Sequence, residues 1–185
     1  MKTVLLIHGL WVTPRSWGNF KRRYEARGYR VLAPAWPGVA GEPAALRRGA
    51  TSLHGVGISE VVAHYEKIIR ALPEPPIIIG HSFGGLITQL LLDKGLGSAG
   101  VIIDSVPPKG IYVLPFSTYE ALTPALANPF TAKRTYLHSF ARWWRVFAGT
   151  LSEAEARAAY DEQVIPASGR AIFQAALSNV TPGSP

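Results

Sequence analysis

The stretch from Pro76 to Leu92, PIIIGHSFGGLITQLLL, constrains the fold of this chain more than any other. Its short apolar run Ile77-Ile78-Ile79 predicts a buried strand, and the leucine-rich run after the glycines predicts a helix. Between them stands Gly-x-Ser-x-Gly, with Gly80, Ser82 and Gly84 at its fixed positions. A chain that passes from strand to helix in so few residues crowds its own neighbours, so glycines are needed on both sides of the serine. The serine itself is held in a strained conformation. Its hydroxyl then stands at the carboxyl end of the sheet, with the free N–H groups and positive dipole end of the next helix behind it. That is the context in which such a serine serves as a nucleophile.

A second segment agrees with the first. Lys2-Thr3-Val4-Leu5-Leu6-Ile7 reads as a buried strand and runs into His8-Gly9-Leu10-Trp11. Stabilising the oxyanion of an acyl-transfer reaction takes two backbone N–H donors converging on one oxygen. One comes from the residue after the nucleophile, here Phe83, and the other from a loop after an earlier strand, here Leu10. The His8-Gly9 pair lets the backbone turn tightly, and the His8 imidazole is read as structural rather than as a proton carrier.

On these residues the chain resembles the α/β-hydrolase family. The resemblance is carried by His8-Gly9-Leu10-Trp11, by Ala33-Pro34-Ala35-Trp36-Pro37-Gly38, by the segment from Gly80 to Gly85 and by Val101-Ile102-Ile103-Asp104-Ser105. Their order and spacing match the family's third to sixth strands over residues 1–110, and the remainder is consistent with its variable lid. The resemblance implies a serine esterase with Ser82 as nucleophile, the Leu10 and Phe83 amides as oxyanion donors and no cofactor or metal.

Composition limits the alternatives. With 185 residues and 48% hydrophobic content, the chain suits one globular domain with a real core. It has no cysteine, so thiol chemistry is excluded. The five histidines are scattered and form no metal-ligand spacing. The net charge of +7 rests on short runs such as Lys21-Arg22-Arg23 and Arg47-Arg48. These read as solvated faces, so neither nucleic acid nor a membrane is expected as partner. The N-terminus lacks the apolar stretch of a secretory signal, and a cytoplasmic location is the expectation.

Along the chain, Trp17, Phe20 and Tyr24 recur at helical spacing and Gly28 suits a C-terminal cap. A strand is expected over 29–33, a loop with one helical turn over 38–57, and a helix capped by Ser59 with Val61, Val62, Tyr65, Ile68, Ile69 and Leu72 on one face. Four strands alternating with three helices imply a parallel sheet joined by right-handed crossovers, in the order second, first, third, fourth. After Pro107-Pro108 the pattern changes. A short strand over 110–114 is followed by helices over 118–126, 132–147, 152–164 and 169–178, and the tail 181–185 is expected to fray. The single domain therefore divides into a core, 1–110, and a lid-like helical region, 111–180.

An activated serine needs a histidine base oriented by a carboxylate. In this fold both follow the nucleophile along the chain. Here the one later histidine is His138, inside the aromatic lid-like helix expected over 132–147, and Asp104 ends the strand after the serine. Neither the seventh nor the eighth strand of the family is recognisable, so the chain reads as the front part of such a hydrolase. The strand over 101–103 would then be an apolar edge that invites pairing with another chain, and a homo-oligomer is expected. Two functions follow: hydrolysis of small hydrophobic esters, with Trp11 and the lid aromatics meeting the acyl group, or a binding module without turnover.

Overall fold

The computed structural model describes residues 1–111 and 116–179. The strand expected over 110–114 lies partly, and the tail over 181–185 wholly, outside the described residues.

Four strands build the central sheet: β1 (Thr3–Ile7), β2 (Arg30–Leu32), β3 (Ile77–His81) and β4 (Ala99–Ile103). All pairings are parallel and the order is β2-β1-β3-β4, as the sequence led one to expect. Strands of a parallel sheet are buried on both faces, so consecutive apolar residues divide between two layers. Val4 and Leu6 join Val31, Ile79 and Trp17 on one face, the side covered by α1 (Gly18–Glu25). Leu5, Ile7 and Ile78 enter the larger core on the other face. There they meet Val61, Val62, Tyr65 and Ile69 of α3 (Ile58–Arg70) and Leu86, Ile87 and Leu91 of α4 (Phe83–Asp93). A short α2 (Pro43–Arg48) lies in the connection before α3.

The edge strand β4 is different. Val101 and Ile102 remain 47% and 48% exposed, and no strand among the described residues pairs with the outer side of β4. The described helices are all too short or too polar to cross a membrane.

Beyond the sheet come α5 (Phe116–Leu126), α6 (Phe140–Phe147), α7 (Glu153–Gln163) and α8 (Gly169–Leu177). Leu122, Ala125, Ala171 and Ile172 pack into the same core as Leu5 and Ile7.

Two local expectations are corrected. The helix expected over 132–147 is broken into a 3-10 turn (Pro129–Lys133), a strand β5 (Thr135–Tyr136) and α6. The cause is non-local, because Thr135 and Tyr136 pair antiparallel with Ser168 and Ala167 of β6 (Ala167–Ser168). Ser139 then restarts the helix by accepting the Arg142 N–H. At α3 the cap is Gly57 rather than Ser59. Glu60 accepts the Gly57 N–H and Gln174 of α8 accepts that of Ile58, so a distant side chain takes over the capping.

Candidate functional site

Ser82 occupies the junction of β3 and α4 with φ 56° and ψ −120°. Such a backbone costs about 1–3 kcal/mol and persists only where its surroundings impose it. The surroundings here are hydrogen bonds and missing side chains. Ser82 N–H donates to Ile103 O at 2.9 Å, and Ser82 O accepts from Gly85 and Val106. A Cβ on Gly80 would overlap the Gly84 carbonyl, one on Gly84 the Ile7 carbonyl, and one on Gly85 the Ser105 side chain. The glycines therefore let three chain segments close around the serine. Ser82 Oγ does not cap α4, which leaves it unspent at a half-buried position.

The loop after β1 closes on the same residue. A Cβ on Gly9 would lie 2.9 Å from Ser82 Cβ and 3.4 Å from Ser82 Oγ. Only a glycine lets this backbone come so near. His8 fixes the loop from behind: its Nδ1–H donates to Gly9 O at 2.9 Å and its Nε2 accepts the Trp36 N–H at 3.2 Å, which assigns the ring proton to Nδ1. Trp36 in turn gives its indole N–H to His8 O. Complete burial lowers the His8 pKa to about 4, so the ring is neutral at pH 7 and structural.

Leu10 follows Gly9, and Phe83 follows Ser82. Neither amide N–H has a hydrogen-bond partner among the described residues, although both residues are buried. Unpaired backbone donors at buried residues are rare, and two of them adjoin one serine here.

Trp11, Ser82 and Asp104 are the non-glycine residues with positive φ among those described. All three stand on segments that end at the carboxyl edge of the sheet. Asp104 is exposed at the end of β4, where the register sets Ile103 opposite His81. Burial lowers the His81 pKa and the neighbouring Asp104 charge works against that shift. Asp104 thus faces His81, a juxtaposition missed from the sequence although the parallel register of neighbouring strands is the signal that carries it. Sequence reasoning also missed the two Trp36 bonds that brace His8, which only the pairing of β1 with β2 brings together.

Trp11 is buried. Its indole N–H donates to Tyr136 O at 3.0 Å, and its carbonyl accepts from Ile165. Its ring lies 4.5 Å from that of His138 and 5.6 Å from that of Phe147. The loop that closes on Ser82 is therefore fastened to the helical region through Trp11. His138 belongs to this aromatic cluster, and among the described residues no histidine is hydrogen-bonded to Ser82 Oγ. A cleft of about 290 Å³ lined by Ile69, Leu72, Pro75 and Leu96 lies at the amino ends of the strands, away from the serine. The described residues contain no grouping of three or more His, Cys, Asp or Glu that could hold a metal ion.

Comparison with known proteins bears on this geometry. No match was found among curated proteins. Among solved structures, an extracellular α/β-hydrolase from a Paenibacillus species superposes with a TM-score of 0.70 at 22% identity, over 91% of this chain and 69% of its own. A methylesterase from Arabidopsis gives 0.65 at 14% identity, over 94% and 70% of the two chains. Polyneuridine aldehyde esterase gives 0.61 at 18%, over 95% and 71%. At such identities the likeness is one of fold. The model of the alpha/beta hydrolase family matches residues 4–182, nearly the whole chain, and the chain belongs to that family.

Proposed function

We propose that this protein is a serine ester hydrolase acting on small hydrophobic esters. The observation that carries the reading is the Ser82 backbone, forced to φ 56° at a strand-to-helix junction with its hydroxyl uncommitted and the Gly9 backbone packed against it. In the proposed reaction Ser82 Oγ attacks the ester carbonyl carbon as its proton passes to solvent, from which the departing alkoxide later takes one back, and the carbonyl oxygen takes up the negative charge. The Leu10 and Phe83 amides donate to that oxygen. The tetrahedral intermediate collapses with loss of the alcohol, and water then releases the acid from the acyl-enzyme. Trp11 and the aromatic residues behind it supply the apolar side of the acyl pocket. Asp104 is the candidate acid partner, since it ends the strand paired with that of the serine.

The neighbouring folds support the reading without setting a substrate. The solved structures of similar fold include a methylesterase, polyneuridine aldehyde esterase and a pyrethroid hydrolase.

Turnover of 4-nitrophenyl acetate and butyrate tests it. Steady hydrolysis by the chain, lost in Ser82→Ala, is the expected result. Equal rates in both proteins would refute it. A second reading, a binding module without turnover, is favoured by one observation: Ser82 Oγ has no histidine partner among the described residues. On that reading the esters bind but are not cleaved above the rate in buffer.

A further inference from the structure

Five buried side-chain nitrogens have no hydrogen-bond partner among the described residues, and three of them sit together: His138 Nδ1, His138 Nε2 and Arg142 Nε. An unmade hydrogen bond at a buried polar atom costs about 1–3 kcal/mol, so three in one place call for an explanation. His138 is 0% exposed. Its ring is walled by Trp11 at 4.5 Å, Tyr136 at 5.0 Å and Phe147 at 5.5 Å between centroids. None of these rings offers its nitrogens an acceptor: the Trp11 N–H is committed to Tyr136 O. Arg142, four residues on in the first turn of α6, anchors one end of its guanidinium by donating from Nη2 to Glu120 O and leaves Nε–H unpaired. Its charge acts on His138, whose pKa is lowered to about 4 by burial first and by Arg142 second. The carboxylate of Glu120, whose carbonyl takes the Arg142 Nη2–H, is itself held by Arg145 at 2.8 Å. The place is therefore apolar on three sides, carries a guanidinium with no carboxylate partner among the described residues, and has an imidazole able to donate one hydrogen bond. Phe147, 46% exposed, is the outermost ring of the cluster.

We propose that His138 and Arg142 form a subsite for a carboxylate group, which they grip through the imidazole N–H and the guanidinium Nε–H beneath the Trp11–Phe147 aromatic wall. A carboxylate fits this donor set because it accepts from both groups at once and neutralises the arginine, whereas a neutral oxygen does only the first. Trp11 belongs to the loop that packs on Ser82, and its ring contact with His138 connects the subsite to the candidate site. This deepens the reading of the previous subsection and rests on it. The substrates are esters that carry a free carboxylate beside an apolar group.

Binding can be tested apart from catalysis. Ser82→Ala protein is titrated with benzoate and with its neutral analogue benzamide, read by tryptophan fluorescence and by the His138 ring resonances in NMR spectra. Benzoate is expected to bind about ten-fold or more tightly than benzamide and to move the His138 signals. Arg142→Gln and His138→Asn, each made in Ser82→Ala, are expected to weaken benzoate by about ten-fold. Arg142→Lys, the variant kept in case Arg142→Gln does not fold, is expected to retain part of the affinity. Benzoate that binds no better than benzamide overturns the subsite, as does benzoate that binds all variants alike. Because every protein in the series lacks the serine, these outcomes do not depend on hydrolysis, and the ester assay decides that separately.

Discussion

At the residue scale, the site is defined by what has been left off. Gly9 carries no side chain because a Cβ there would meet Ser82 Cβ at 2.9 Å, below any ordinary carbon contact. Gly9→Ala is expected to push the Leu10 amide away from the oxyanion position. Loss of one such donor costs roughly 10²- to 10³-fold in rate, so ester turnover should fall by about that factor while the melting temperature moves only slightly. A rate within two-fold of the unsubstituted chain would contradict this role. Two buried histidines make a second prediction at this scale. His8 and His138 are both lowered to about 4, chiefly by burial, whereas in the unfolded chain they titrate near 6.5. Between those values the unfolded state binds protons that the folded state refuses. Stability is therefore full above about pH 6.5 and declines as the pH falls toward 4, by on the order of 3 kcal/mol for each histidine. Thermal melts across pH 4.5 to 7.5 measure the slope, and His138→Asn should flatten part of it.

At the scale of elements, the loop after β1 is held by the far part of the chain. The Arg47 guanidinium donates to the carbonyls of Tyr160 (3.1 Å), Asp161 (3.2 Å) and Val164 (2.8 Å), the unpaired acceptors at the end of α7. That end continues into Ile165, whose N–H donates to Trp11 O, and Val164 bridges to Val12. Arg47→Ala is expected to cost about 1–3 kcal/mol and to speed hydrogen exchange at the Ile165 amide. Unchanged exchange at Ile165 would show that the clamp does not reach the loop. This contact links α2 to residues more than a hundred positions away, and nothing in the sequence near Arg47 announces it. The same physics separates what could be read in advance from what could not. The turn at Ser82 was legible because its glycines, strand and helix are neighbours in the chain. The break after Lys133 was not, because β5 exists only through pairing with β6, thirty residues on. The orphaned nitrogens of His138 and Arg142 were likewise invisible until the fold enclosed them.

At the scale of the whole molecule, the sheet of the described residues ends on one side at β4, with Val101 and Ile102 half exposed and no described strand paired with its outer side. An apolar edge of this kind promotes pairing with a second chain. Light scattering at micromolar concentration is expected to show a dimer or larger species, and Val101→Lys with Ile102→Lys should return it to monomer. A monodisperse unsubstituted monomer would remove the edge from the account. The parallel sheet, its order and the family to which the chain belongs stand apart from that outcome. The proposed hydrolysis depends on the chemistry of one hydroxyl. Its most direct test is intact-mass and peptide mapping after incubation with a fluorophosphonate, which needs an activated serine and no knowledge of the substrate. The expected result is a single adduct on the peptide containing Ser82, absent in Ser82→Ala. No adduct after prolonged exposure of folded protein, or an adduct on another serine, would contradict it.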